Sequence, residues 1–350
     1  MKNITVPPDT TIIQAMKILN KTAEKCLLVV DDNKKLLGTL TDGDLRRSIL
    51  AGVKFSENIS NSFNTEPTVL FKEKYTTEKA HQLLRDRKLD LIPVVDNNIM
   101  VVDYVTLSDI GGESQPKKKL SDVSVVIMAG GKGTRMEPFT KILPKPLVPV
   151  HEKPIIEHII ERFTDIGCSE FHLTVNYKSR ILKAYFEELQ PEYKVNFVEE
   201  QVPLGTAGSL RFLDGKFRHP FFVTNCDIII KTDYTSLYKF HKKGDYDVTL
   251  VASTKEYVIP YGTCELNGNG HLSHINEKPR YDFLINTGLY ILNPDMLRLI
   301  PENKFYHITQ LIEDVKNQGK KIGVFPIDDD AWFDVGQWAE YQKVVELFTH

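Results

Sequence analysis

AGGKGTRMEPFTKILPKPLVPV, Ala129 to Val150, directly follows the apolar run VSVVIM and decides how the larger part of the chain is read. Gly130, Gly131 and Gly133 let the backbone turn sharply and bring its N–H groups against phosphate oxygens. A glycine cluster can serve turning alone, so the added groups carry the chemistry. Thr134 adds a hydroxyl donor. Arg135 and Lys145 supply fixed positive charge where a triphosphate is negative and a leaving pyrophosphate becomes more so. The stretch holds no G-x-x-x-x-G-K-[ST] and does not complete G-x-G-x-x-G, which argues against a P-loop and a simple dinucleotide fold.

Downstream, short apolar runs alternate with helical patterns: VSVVIM, PIIEHIIERFTDIG, FHLTV, a helix near Ser179 to Leu189, VNFVEE and FFVTN. In the first of these helices Ile155, Ile159, Phe163 and Ile166 share a face, with Ile156 and Ile160 beside them. This alternation predicts an α/β domain with a mostly parallel sheet between helices. Ligands of such sheets sit beyond the carboxyl ends of the strands.

Upstream, GGESQPKKKLSD, Gly111 to Asp122, loses all apolar periodicity and reads as a linker. Before it the order helix, strand, strand, helix occurs twice. Ile12, Ile13, Met16 and Leu19 lead to LLVVDD and GTLTDGDLRRSIL; TEKAHQLLRDRK leads to LIPVVD and VVDYVTLSDI. The expected division is a repeat pair over 1–112 (about 1–56 and 57–112), a linker over 113–122 and a second domain over 123–350, which suits a chain of 350 residues. The net charge of −3 gives no electrostatic reason to expect nucleic acid. No apolar run approaches the roughly 20 residues needed to span a bilayer, and the first residues lack a leader's apolar core. No membrane partner and a cytoplasmic location are therefore expected. Cys26, Cys168, Cys226 and Cys264 form no C-x-x-C pair and are expected as buried thiols.

The pattern G-G-x-G-T-R-x-x-P-x-T-x-x-x-P-K-P-L from Gly130 to Leu147 resembles the signature of the sugar-phosphate nucleotidyltransferase family, and the resemblance continues over Val123 to His350. It implies a Rossmann-like nucleotidyltransferase domain with a mixed, mostly parallel sheet. It also implies an enzyme that joins a sugar 1-phosphate to a nucleoside triphosphate with Mg²⁺, releasing pyrophosphate. By this likeness Gly130, Gly131, Gly133 and Thr134 hold the nucleotide, and Gln201, Gly205 and Thr206 in EEQVPLGTAGSL lie near its base. Arg135 would hold the pyrophosphate and Lys145 the reacting phosphorus centre. Asp227 in TNCDIII and Asp334 in WFDVG would hold the metal, since Mg²⁺ takes a few protein oxygens and leaves its other positions to phosphate and water. HINEKP and INTGLY resemble sugar-binding elements, with Glu277 on sugar hydroxyls, Lys278 on the sugar phosphate, Asn286 on the sugar, and Gly262 allowing close backbone approach.

The two N-terminal halves resemble CBS domains (βαββα-type), which pair to form a cleft for adenine nucleotides. GTLTDGD carries Thr41 and Asp44 in T-x-x-D spacing and VTLSD carries Thr106 and Asp109; Asp103 stands where glycine is usual. Thr41 and Asp44 serve equally well as a helix cap. The module order resembles the CBS-containing guanylyltransferases of legionaminic acid pathways, which act on glucosamine 1-phosphate, and mannose-1-phosphate guanylyltransferases share a similar LGTAG loop. GTP is thus the expected nucleotide and a homo-oligomer the expected assembly, although uridylyl-, thymidylyl- and cytidylyltransferases use closely similar loops. The other reading is a non-catalytic nucleotide-sensing subunit. Loss of Arg135, Lys145, Asp227 or Asp334 would favour it, and all four are present.

Overall fold

The computed structural model describes residues 4–22, 24–106 and 120–347. Contacts divide the chain into two compact units: Met1–Gln115, Thr254–Ile285 and Asp328–Asp330 form the first, and Pro116–Ser253, Asn286–Ile327 and Ala331–His350 the second. Two segments read from sequence as part of the second domain, 254–285 and 328–330, thus cluster with the N-terminal residues. Residues 113–119 of the expected linker lie outside the described residues, as does Asp109.

The internal repeat of the first unit is visible strand by strand. β1 (Thr5–Val6), α1 (Ile12–Thr22), β2 (Cys26–Val30), β3 (Leu36–Thr41) and α2 (Asp42–Leu50) are followed by β4 (Leu70–Phe71), α3 (Thr77–Asp86), β5 (Leu91–Val95) and β6 (Val101–Thr106). The sheets have the orders β1-β2-β3 and β4-β5-β6. Cys26 faces Thr41 and Leu91 faces Thr106, and each hairpin shifts register once, at Val29/Val30 and at Val94/Val95. α1 forms because Ile12, Ala15, Met16 and Leu19 recur at helical spacing, and all four are buried. Leu91 and Val95 of the second repeat enter the core of the first.

After residue 120 the chain forms β7 (Val125–Met128), the single turn α4 (Phe139–Ile142), the small pair β8 (Pro149–Val150) and β9 (Lys153–Pro154), then α5 (Ile155–Thr164), β10 (Glu170–Val175), α6 (Ser179–Leu189) and β11 (Lys194–Glu199). It continues with β12 (Phe221–Asn225), β13 (Ile228–Ile230), α7 (Tyr234–Gly244), β14 (Val248–Val258), β15 (Thr263–Leu266), β16 (Leu272–Asn276), β17 (Arg280–Leu292), α8 (Ile308–Asn317), β18 (Ile322–Ile327), β19 (Trp332–Asp334) and α9 (Trp338–Leu347). The main sheet runs β11-β10-β7-β12-β17-β14-β18. Its described pairs are parallel except β12 with β17, the mixed, mostly parallel sheet expected from sequence.

Strand alternation sends side chains into two separate cores. Val125, Ile127, Phe222 and Ile291 meet Ile155, Ile159 and Phe163 of α5 on one face; Val126, Phe221, Val223 and Leu292 meet Leu311 and Val315 of α8 on the other. From β7 the chain steps outward to β10 and β11, then returns to β12 on the opposite side of β7. That reversal makes a crevice at the carboxyl ends of β7 and β12. Met128 lies opposite Asn225, so the glycine loop and Asp227 leave the sheet from neighbouring strands. Among the described residues no helix is long and apolar enough to cross a membrane.

In the first unit Asp328 is buried, and burial together with the neighbouring Asp330 pushes its carboxyl up to about 6 from 3.8; Lys17 and nearby backbone N–H groups offset only part of this. Because the folded value lies above the unfolded one, stability falls as pH rises from about 4 to about 6, and the penalty is complete above that. Asp328→Asn should stabilise the protein by about 1–2 kcal/mol at pH 7.5 and by nothing measurable at pH 4, read as a shift of the melting temperature at each pH.

Candidate active site

The glycine loop is shaped by packing as well as by turning. Gly133 has φ +68°, and a Cβ there would lie 2.9 Å from Thr140 Cγ2 and 3.0 Å from Lys145 Cβ. The Thr140 hydroxyl donates to Gly133 O at 2.8 Å. Gly131 faces open space. Thr134–Met136 make a 3-10 turn that buries Met136 and leaves Thr134 and Arg135 exposed.

Lys145 opens a second 3-10 turn, Lys145–Leu147, with Pro144 and Pro146 on either side. The lysine is 7% exposed and ion-pairs with Asp227, 8% exposed. β13 runs antiparallel to β19 with Ile228 opposite Asp334, which brings the two expected metal carboxylates together from distant parts of the sequence. Val335 N donates to Asp227 O at 2.9 Å. Asp334 Oδ1 accepts from Gly336 N at 2.9 Å and its Oδ2 from Gln337 Nε2 at 3.1 Å. Gly336 sits at the centre: a Cβ there would overlap Asp227 Oδ2 and lie 2.7 Å from Lys145 Nζ and 2.9 Å from Asp334 Oδ1. Among the described residues no group of three or more His, Cys, Asp or Glu gathers to hold a metal, so these two convergent carboxylates suit a hard cation that takes its other oxygens from phosphate and water. The adjacent Cys226 thiol is pushed up to about 12 by burial, with Asp227 adding to the effect, so it remains protonated at neutral pH.

A 250 Å³ cavity is lined by Arg135, Asn225, Asp227, Asn286, Trp332 and Asp334 among others. Asn286 is held in place: its Nδ2 donates to Tyr290 Oη at 2.8 Å and its Oδ1 accepts from Gly288 N at 3.2 Å. Gly288, at φ +91°, lies against the Asn225 amide with no room for a Cβ.

The loop read from sequence as base-contacting is anchored from far along the chain. Gly205 has φ +79°, and a Cβ would lie 2.7 Å from Tyr306 O. Tyr306 O accepts from Ala207 N at 2.9 Å, and Thr206 Oγ1 accepts from Ile308 N at 2.9 Å. Thr206 therefore caps α8 rather than a helix of its own. Gln201 is exposed.

Gly262, Glu277 and Lys278 belong to the first unit, whereas Asn286 belongs to the second. The β15–β16 hairpin sets Thr263 opposite Asn276, so Gly262 faces Glu277, whose Oε2 would lie 2.8 Å from a Cβ on that glycine. Lys278 has φ +46° and is exposed. In the N-terminal repeats Thr41 and Asp44 form a complete capping box on α2: Asp44 N donates to Thr41 Oγ1 at 3.2 Å and Thr41 N to Asp44 Oδ2 at 2.8 Å. Asp44 also borders a 400 Å³ cleft with Arg47, Ser48, Glu57, Asn58 and Asn61. Thr106 is buried at the end of β6. Cys26, Cys168 and Cys226 are buried as expected, but Cys264 is exposed, as is most of the two-stranded β15–β16 hairpin that carries it.

Residues 124–349 match the nucleotidyl transferase family model. The chain belongs to the nucleotidyl transferase family. Residues 1–51 match the CBS domain model. The mannose-1-phosphate guanyltransferase 2 of Candida glabrata is 35% identical over 233 residues, covering 64% of this chain and 64% of that protein. The mannose-1-phosphate guanyltransferase of Saccharomyces cerevisiae is 35% identical over 235 residues, again 64% of each. The chain thus spans 64% of the length of these curated relatives. Among solved structures, HddC from Yersinia pseudotuberculosis matches with a TM-score of 0.52 at 27% identity, over 65% of this chain and all of that one. Its complex with GMP-PN matches at 0.51 and 26%.

Two residues of this nucleotidyl transferase escape the sequence reading. One is Gly336, whose only local signal is its place after the strand carrying Asp334. The other is Glu200, 8% exposed, with Oε2 accepting from Leu204 N at 3.1 Å and Oε1 lying 3.0 Å from where a Cβ on Gly130 would stand. Burial raises the Glu200 pKa, and the Leu204 N–H offsets part of that rise. Strand alternation supplies the missed signal: Glu199 points outward to Lys183, so Glu200 shares the inner face with Val198. Gly336→Ala should retain the fold by circular dichroism yet lower kcat by about two orders of magnitude, because the added methyl displaces the charges that organise the site.

Proposed function

We propose that the chain is a sugar-1-phosphate guanylyltransferase, moving a guanylyl group from GTP to mannose 1-phosphate or glucosamine 1-phosphate and releasing pyrophosphate. The observation that carries this reading is the packing of Lys145, Asp227 and Asp334 around Gly336, beside the loop of Gly130, Gly131, Gly133, Thr134 and Arg135. The sugar phosphate oxygen attacks the α-phosphorus directly, and the bond to pyrophosphate breaks. Such chemistry needs alignment and charge stabilisation rather than a covalent protein intermediate. Backbone N–H groups of the glycine loop hold the triphosphate, and Arg135 retains the departing pyrophosphate. Lys145, kept in place by Asp227, stabilises the crowded phosphorus centre. Asp227 and Asp334 would hold Mg²⁺, which when bound neutralises phosphate oxygens. By family likeness Gly262, Glu277 and Lys278 of the first unit, and separately Asn286 of the second, are the proposed sugar-1-phosphate residues. An adenine nucleotide is the proposed occupant of the cleft beside Asp44.

Two lines favour guanine. The relatives are named guanyltransferases, and one solved neighbour is a complex with GMP-PN. Glu200 gives a chemical reason of its own. Gln201, Gly205 and Thr206 border the base, while a carboxylate matches the adjacent N1–H and N2–H donors of guanine. It would face carbonyl oxygens beside the single N–H of uracil or thymine, and a bare acceptor nitrogen on cytosine.

Pyrophosphate release should be measured with GTP, CTP, UTP, dTTP and ATP, with Mg²⁺, against a panel of sugar 1-phosphates. Turnover is expected with GTP and with mannose or glucosamine 1-phosphate. Glu200→Gln should lower kcat/KM for GTP by roughly 30-fold and narrow its lead over UTP, the size expected when one buried hydrogen-bonding group is mismatched. Silence across the whole panel from folded protein would overturn the catalytic reading in favour of nucleotide sensing.

A further inference from the structure

One contact within the first unit has no part in the reaction proposed above. Asp282 Oδ2, on β17, accepts from Phe55 N at 2.9 Å, across most of the sequence. Asp282 is half-buried, and its Oδ1 is out of reach of solvent with no hydrogen-bond partner among the described residues. A buried carboxylate oxygen left unpaired is costly and calls for an explanation.

Phe55 sits in a loop with structural duties of its own. Its side chain is buried in the N-terminal core. Its carbonyl accepts from Ile13 N at 3.1 Å, and Glu57 O accepts from Ile12 N at 2.9 Å, so this loop satisfies the first turn of α1. Glu57, Asn58 and Asn61 of the same loop border the 400 Å³ cleft. On the other side of the contact, Asp282 follows closely on Glu277 and Lys278. Pro279 O accepts from Ile259 N at 3.1 Å, and Arg280 pairs with Glu256 at 3.3 Å, which fixes the base of the β15–β16 hairpin.

We propose that Asp282 is a positioning residue: by holding the Phe55 N–H it anchors the Glu277–Lys278 segment to the N-terminal repeats, so those repeats set the affinity for sugar 1-phosphate and leave that for nucleotide alone. This rests on reading Glu277 and Lys278 as sugar-phosphate residues. The selectivity follows from the chain: the glycine loop, Arg135 and Glu200 belong to the second unit, which Asp282 and Phe55 do not enter.

The test uses full-length Asp282→Ala and Asp282→Asn with two readouts, amide hydrogen exchange over 255–284 and KM for each substrate. Asp282→Ala should speed exchange at Lys278–Leu284 and raise KM for sugar 1-phosphate about 5- to 10-fold, with KM for GTP within about two-fold of wild type. Asp282→Asn keeps an oxygen acceptor without the charge and should recover most of the loss. A parallel rise of both KM values, or exchange unchanged in the alanine variant, would overturn the proposal. Should the alanine variant fail to fold, the asparagine variant decides: a rise of about 2- to 3-fold confined to sugar 1-phosphate supports the proposal, and equal rises in both constants sink it. If the wild-type enzyme turns over no sugar 1-phosphate, the proposed function falls, and hydrogen exchange still decides whether Asp282 anchors the segment.

Discussion

A lysine and an aspartate, each more than nine-tenths buried, hold one another where β12 leaves the sheet, and much of the second unit answers to that pair. Removing two charges from water costs several kcal/mol per ion, and only tight geometry offsets it. The geometry comes from several parts of the chain. Pro144 and Pro146 restrict the backbone on either side of Lys145, and Gly133 leaves space for its side chain. The pairing of β13 with β19 fixes Asp227 relative to Asp334, and Gly336 leaves the centre open. Gly133 and Gly336 are thus packing requirements of an ion pair before they are anything catalytic. Each would lose its place to a single methyl group.

Local periodicity made the helices legible. Ile155, Ile156, Ile159, Ile160 and Phe163 are buried as their spacing requires, and the helix at Ser179–Leu189 lies where the pattern put it. Strand direction was not legible, because an apolar run buried on both faces reads alike whichever way it runs; β17 lies antiparallel to β12 for reasons that reside in the whole sheet. Lys145, Asp227 and Asp334, which the structure brings together, had stood out through spacing and family likeness. Glu200 was obscured by its neighbours, since two successive acids and a glutamine look alike until alternation sorts them into inner and outer faces.

The N-terminal repeats show a different limit. Their repeated strand order was legible, whereas the register shifts at Val29/Val30 and Val94/Val95 were not, and T-x-x-D spacing encodes a capping box and a ligand site with the same residues, of which the capping box is seen. Nor could local pattern reveal that 254–285 clusters with residues so far upstream. That association depends on groups such as Asp282 and Phe55, neither of which stands out from its surroundings in the sequence.

β14 and β17 are neighbours in the main sheet, and the segment carrying β15 and β16 departs from one and returns through the other. The two ends of that segment are therefore already close, and the entropy of closing a loop between such ends rises only slowly with its length. The excursion can thus change in length or sequence at small entropic cost while β14 and β17 keep their places in the main sheet. Were Glu277 and Lys278 the sugar-phosphate residues proposed above, part of the sugar preference could be rewritten within this one insertion, leaving the Lys145–Asp227 pair untouched.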